Sequence, residues 1–391
     1  MNTTSGLPLS ISLFLLSGAA FADPPDLDEE GSYDEEAELY GADLLDDLDG
    51  PLGPDFIING EEASEDDYPM TGGMVVDAVV DYGSYGQMDA NLFMCSSTLI
   101  APDVVLLAAH CVDEYGLTYG FGTVEELDIY WTRQADLTDF DGSQRQRLPD
   151  DAVQAWDWVA HSEFDLNSMG LGLSENYDIA LLFLDEAVTD IDHAYLPTRE
   201  EAAQMEEGND VAVVGWGQQS ATSMWESPPE GSYLVKMMGD SFIAELDEAE
   251  FQVGAVEDDV RKCHGDSGGP SFMEVETDTD ESTRLIGVTS HAYDSSDCES
   301  TGGVDTRVDA YLDWIEAEML SRCEDGTRAW CEVEGIVPPP SFEDETVLAD
   351  SPNAEEEKSF LGCSALGRQG RSLPGFVLMG LMGLLAVRRR S

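Results

Sequence analysis

The sequence predicts an all-β body closed by one C-terminal helix. Apolar runs are short and strand-length, as in Leu106–Ala109 and Ile179–Leu182, and turns rich in Gly, Pro and Asp separate them. The segment Cys263–Pro270 sets a serine between glycines, the composition of a tight turn. The stretch Tyr311–Cys323 reads as helix.

The chain has 391 residues, enough for one large domain or two to three smaller ones, and 42% are hydrophobic, so a sizeable core is possible. Seventeen Lys and Arg stand against 82 Asp and Glu, a formal net charge of −65. Such a chain repels phosphate backbones and anionic lipid, which excludes nucleic acid as a partner. An acidic surface of this kind suits salty surroundings, where screening softens self-repulsion. The first basic side chain from the N-terminus is Arg133, and the last three bases are Arg388, Arg389 and Arg390.

Residues 1–22 read as a signal peptide. An apolar run over 7–22 ends in Ala20-Phe21-Ala22, a small-residue cleavage pattern that would leave Asp23 first, although no Lys or Arg precedes the run. Residues 23–56 hold fourteen Asp and Glu and no base, so they are expected to be a disordered acidic propeptide. Cysteines fall at 95, 111, 263, 298, 323, 331 and 363. A secreted chain oxidises its thiols, so three bridges and one odd cysteine are expected, with the pairing open on spacing alone. Cys323 and Cys331 are close enough for a local loop, and Cys363 is the outlier by position.

The middle of the chain carries the chemistry. A serine in a glycine turn, Ser267, can present its hydroxyl while nearby N–H groups gather round an oxygen. It needs a base, and His110 ends an apolar run. The base needs an anionic orienter, and Asp178 leads another such run. Six segments then resemble the trypsin-like (chymotrypsin-fold, S1 family) serine proteases. They are Ile57-Ile58-Asn59-Gly60, Leu107-Ala108-Ala109-His110-Cys111, Asp178-Ile179-Ala180-Leu181, Gly215-Trp216-Gly217, Gly265-Asp266-Ser267-Gly268-Gly269-Pro270 and Gly303-Val304-Asp305-Thr306-Arg307-Val308. The order His, Asp, Ser is the family's.

The resemblance implies two six-stranded antiparallel β-barrels with the catalytic cleft between them, a crossover near 187–199 and a protease domain over 57–331. It implies a triad of His110, Asp178 and Ser267, an oxyanion hole from the N–H groups of Gly265 and Ser267, and bridges Cys95–Cys111 and Cys263–Cys298. Cys323–Cys331 is then left as a bridge outside the usual set. No cofactor and no metal is implied, and the partners are protein or peptide substrates. Activation by cleavage before Ile57 would pair its new α-amine with Asp266. The residue before that bond is Phe56, where relatives often carry Arg or Lys, so the activating protease is a different and unknown one, or the chain itself with another preference.

The substrate-binding residues implied are Arg261, Ser290, Ala292, Gly303 and Asp305. Arg261, with Lys262 beside it, stands where trypsins carry an Asp. A cationic pocket would favour Asp or Glu at the cleaved bond. Asp305 stands where Tyr is common; it could cancel Arg261 or attract Lys and Arg instead. Ala292 replaces a wall Gly and His291 a Trp. Ser96-Ser97 replaces a Gly-Gly pair, and Phe251–Gly254 lacks a usual Cys; neither change is expected to touch the triad.

Residues 332–362 read as an acidic linker. Residues 363–391 carry Cys363, an apolar run over Leu373–Val387 and Arg388–Arg390, an order that resembles bacterial C-terminal sorting signals of the MYXO-CTERM type. That resemblance implies attachment at the cell surface or outer membrane through Cys363. The function expected is a secreted serine endopeptidase made as a zymogen. The rival is a catalytically inactive protease-like binding module.

Overall fold

The computed structural model describes residues 57–114, 118, 122–142, 145–219, 233–294, 298, 301–324, 326 and 328. The signal peptide, propeptide, linker, Cys331, Cys363 and sorting tail therefore lie outside the described residues. Among the described residues no helix is long and apolar enough to cross a membrane.

Two closed antiparallel barrels form the body. The first joins β2 (Thr71–Asp81), β3 (Gln87–Ala101), β4 (Val104–Leu107), β7 (Ala180–Leu184), β6 (Val153–Ala160) and β5 (Thr123–Thr132), with β5 returning to β2. The second joins β8 (Asp210–Gly215), β9 (Met237–Leu246), β10 (Glu250–Val253), β13 (Gly303–Arg307), β12 (Thr283–Ala292) and β11 (Pro270–Glu274), and β8 pairs with both β11 and β9. A short β1 (Glu61–Glu62) lies along β9. The all-β expectation and the two six-stranded barrels hold.

The strands follow from burial on two sides. Ala180, Leu181, Leu182, Phe183 and Leu184 are all buried, as are the four residues of β4 beside them. One face of these strands fills the barrel, and the core cluster they belong to continues into Tyr311, Ile315 and Met319. A strand covered on both faces reads as a continuous apolar run rather than an alternating one. By contrast β5 is exposed over much of its first half. Gly72 has a packing reason: a Cβ there would lie 2.4 Å from the buried Trp131 ring.

A 3₁₀ turn (Asp309–Tyr311) leads into the C-terminal helix, Leu312–Glu324, one residue off the reading Tyr311–Cys323. The helix packs Arg322 over the ring of Phe183, 3.9 Å away, and Cys323 is disulfide-bonded. Between the barrels, a four-residue helix (Arg199–Ala202) opens with a Thr198–Glu201 capping box. Buried Arg284 of β12 donates Nε and a second nitrogen to Glu201 at 3.0 and 2.7 Å. Burial alone would raise the Glu201 pKa, but Arg284 and the cap bring it down to about 2. The crossover thus locks onto the second barrel by a paired charge.

Candidate active site

Pairing of β4 with β7 sets Leu107 opposite Ala180, which brings the residues just beyond them, His110 and Asp178, together. His110 sits in a 3₁₀ turn (Ala109–Cys111) braced by the Cys95–Cys111 disulfide. Its backbone N–H donates to Asp178 Oδ1 at 2.9 Å, and its Nδ1 lies 2.7 Å from Oδ2. Ser290 Oγ donates to the same Oδ2 at 2.6 Å, and Thr306 Oγ1 donates to the Asp178 carbonyl at 3.1 Å. Asp178 belongs to the first barrel, yet β12 and β13 of the second hold it. Burial pushes its carboxyl up, but His110 and the three bonds to the carboxylate bring it below the ordinary range. An ionised Asp178 keeps the ring proton on Nδ1 and leaves Nε2 as a base.

Ser267 lies in a turn that only glycines allow. Gly265 and Gly268 have φ of +95° and +77°, and a Cβ on Gly268 would lie 2.4 Å from Ser96 O and 3.3 Å from Ala108 N. The Ser267 turn therefore packs directly on the chain leading to His110. Gly268 N–H donates to Thr289 O and Thr289 N–H to Gly269 O, at 2.8 and 2.9 Å. The His264 carbonyl accepts Gln218 N–H at 2.7 Å, so the planar peptide turns the Gly265 N–H the opposite way. Cys263–Cys298 closes the loop.

Ser96 enters this loop as well. Its Oγ donates to Gly265 O at 3.1 Å and accepts Trp216 N–H at 3.0 Å. The serine that replaces glycine there ties the Gly265 loop to Gly215-Trp216-Gly217. A glycine-to-serine difference carries no sign of that contact until the chain is folded.

Ile57 is already buried in the second-barrel core, and Ile58 forms a bridge with Arg261. Asp266 is buried between Gly217 and Cys263, whose N–H groups each donate to it at 2.9 Å. Burial pushes its pKa up to about 6 against those two bonds. A Cβ on Gly215 or Gly217 would meet this carboxylate at 2.2–2.6 Å, which accounts for both glycines.

The pocket beside Ser267 departs from the sequence reading. Arg261 turns away: it donates to the carbonyls of Cys298 and Glu257, at 2.6 and 3.1 Å, and does not line the pocket. Of the two alternatives for Asp305, pairing with Arg261 is not what forms: Asp305 makes a buried pair with Lys262 at 2.7 Å, and Lys262 Nζ also donates to Ser271 Oγ at 2.9 Å. Arg261 bridges Ile58 and its guanidinium is held by the Cys298 and Glu257 carbonyls, so Lys262 is the cation that meets Asp305. The pocket, walled by Lys262, Ser290, Ala292 and Gly303 with the Cys263–Cys298 bridge, holds about 20 Å³. A Cβ on Gly303 would stand 3.3 Å from Lys262 Cβ, so this wall is pinched. A larger concavity of about 1300 Å³, around Tyr68 and Phe272, contains none of His110, Asp178 and Ser267.

Glu250 of β10, 1% exposed, was not singled out by sequence. It accepts Ser174 N–H at 2.8 Å and Asn176 Nδ2–H at 2.9 Å, fastening the loop that leads to Asp178. Burial pushes its carboxyl up from 4.5 to about 7. With the folded value above the free one, the folded state binds the extra proton, so Glu250 favours folding increasingly as pH falls from above 7 towards 4.5. The thermal midpoint should therefore rise more over that window in the wild type than in Glu250→Gln. Equal slopes in paired melts would refute this.

The trypsin family model matches residues 57–315. Serine protease Hayan of Drosophila melanogaster is 27% identical over 284 residues, 66% of this chain and 38% of its own length. The CLIP domain-containing serine protease HP8 of Bombyx mori is 27% identical over 68% of this chain and 70% of its own. Chymotrypsin-like elastase family member 1 of Felis catus is 28% identical over 58% and 79%. Among solved structures, HL collagenase is similar at 22% identity and a TM-score of 0.47, covering 67% of this chain and 97% of that one.

Proposed function

The chain belongs to the trypsin family of serine proteases, and from that premise we propose that it is a secreted serine endopeptidase working through an acyl-enzyme. The observation that carries this is the buried His110–Asp178 pair, 2.7 Å apart, with the Ser267 turn packed on the chain that leads to His110. Ser267 Oγ attacks the scissile carbonyl carbon and passes its proton to His110 Nε2. The N–H groups of Gly265 and Ser267 receive the oxyanion. As the tetrahedral species collapses, His110 gives the proton to the leaving amine. Water, deprotonated by His110, then attacks the ester and restores Ser267. Asp178 holds the ring and stabilises its imidazolium throughout.

The proposed precursor is a zymogen cut before Ile57 by another protease. The proposed destination is the cell surface, supported by the apolar run over 7–22 and by the Cys363, apolar and triple-Arg order of the tail. Fluorophosphonate labelling of protein matured at Ile57 tests the activity. Labelling at Ser267 is expected; an unlabelled, correctly matured protein would favour the inactive binding module.

The preferred residue at the cleaved bond is proposed to be small and uncharged. The pocket's charges, Lys262 and Asp305, satisfy each other, and a cavity of about 20 Å³ admits little more than a methyl group. Among p-nitroanilides ending in Ala, Glu, Arg and Phe, the Ala substrate should lead in kcat/KM by roughly tenfold or more. A lead for Glu or Arg would show that the Lys262–Asp305 pair opens for substrate.

A further inference from the structure

His291 takes no part in the steps above, yet it is buried, 5% exposed, and both ring nitrogens face oxygen. Nδ1 lies 3.0 Å from Ser290 Oγ, and Nε2 lies 3.1 Å from the Gly172 carbonyl oxygen. Ser290 has one hydroxyl proton, and at 2.6 Å the Asp178 carboxylate takes it. The Ser290 oxygen therefore offers His291 only lone pairs, and so does Gly172. A neutral imidazole has one N–H and one bare nitrogen. Whichever tautomer it adopts, one lone pair is turned onto an oxygen. The imidazolium donates to both.

We propose that His291 is a positioning residue of the triad, holding Ser290 against Asp178 through Nδ1 and the loop that leads to Asp178 through Nε2 and Gly172. This rests on the serine-protease reading of His110, Asp178 and Ser267. A second fastening falls on the same glycine: Gly172 N–H donates to Tyr293 O at 2.6 Å. The loop is thus gripped on both sides of its peptide by residues at the end of β12. Gly172 has a φ of +70°, a conformation that suits glycine and turns its peptide toward the ring.

The charges facing the ring set its titration. Burial is the largest influence and holds the imidazole below the ordinary histidine range. Asp178 and Asp305 favour the cation, and the His110 imidazolium opposes it. As pH falls through that lowered value the ring gains its second N–H and can donate to Ser290 and Gly172 together.

The test uses the matured protein and its His291→Phe and His291→Gln variants, with fluorophosphonate labelling to count competent Ser267. For His291→Phe, kcat should fall about tenfold, the scale of one hydrogen bond to a charged group, with KM within about twofold. His291→Gln should recover part of that loss, because its amide can reach one of the two partners. Unchanged kcat, or a loss confined to KM, overturns the proposal. If the wild type itself does not label, the serine-protease reading has failed; a labelled wild type with silent variants defeats the His291 proposal alone. Should neither variant fold, ¹⁵N shifts of the wild-type imidazoles decide. Protonation of both His291 nitrogens at the acid end of the activity range supports it, and a ring neutral throughout overturns it.

Discussion

Ser267→Ala is expected to lower kcat by roughly six orders of magnitude, the scale at which a triad nucleophile is lost, while leaving the fold in place. The turn around Ser267 is held by backbone geometry rather than by its hydroxyl. Gly265 and Gly268 supply the positive φ, Thr289 exchanges hydrogen bonds with the Gly268–Gly269 backbone, and Cys263–Cys298 closes the loop. The thermal midpoint should therefore stay near that of the wild type. Removing the base as well, in the His110→Ala, Ser267→Ala double variant, should cost little beyond Ser267→Ala alone, because the two act as one unit. Residual turnover within about tenfold of wild type in Ser267→Ala would assign the chemistry to another group.

The second large effect concerns the bond between Phe56 and Ile57. Phe56→Arg, cut briefly with a protease specific for basic residues, is expected to gain at least about a thousandfold in activity, whereas the uncut chain stays near zero. Asp266 gives the reason. Its carboxylate is 1% exposed, and burial pushes its pKa to about 6, so its charge is poorly compensated in the intact chain. An ammonium freed at Ile57 would supply the missing charge, and pairing it there stabilises the turn that aims the Gly265 and Ser267 N–H groups. The amine's pKa is raised by that pairing, so its contribution is present below about 8 and lost as pH climbs through the raised value. An alkaline limb above 8 is expected in the cut form, and Asp266→Asn should remove most of the gain. A cut protein with Ile57 confirmed first by mass spectrometry, yet no more active than the uncut chain, would disprove this route.

Much of the site was legible because its parts are local. A serine among glycines is read from Gly265–Pro270, since no other residue tolerates those dihedrals and approaches. The β4 and β7 runs are read from unbroken apolar residues, since strands buried on both faces leave no polar position. The acidic content argues against nucleic acid as a partner without reference to any fold. The order of His110, Asp178 and Ser267 carried the two-barrel architecture only through the family resemblance, because local patterns do not specify barrel closure.

What only the tertiary structure decided is the pairing of charges and hydroxyls distant in sequence. Arg261 and Lys262 are adjacent and equally cationic, yet the fold buries Arg261 against the Cys298 and Glu257 carbonyls and sets Lys262 on Asp305. Ser96 meets Gly265 across 169 residues, Glu250 meets Ser174 across 76, and His291 meets Gly172 across 119. Each contact depends on how two barrels close and abut, and burial gives it its weight. A carboxylate or imidazole is ordinary in water and consequential once the solvent is gone.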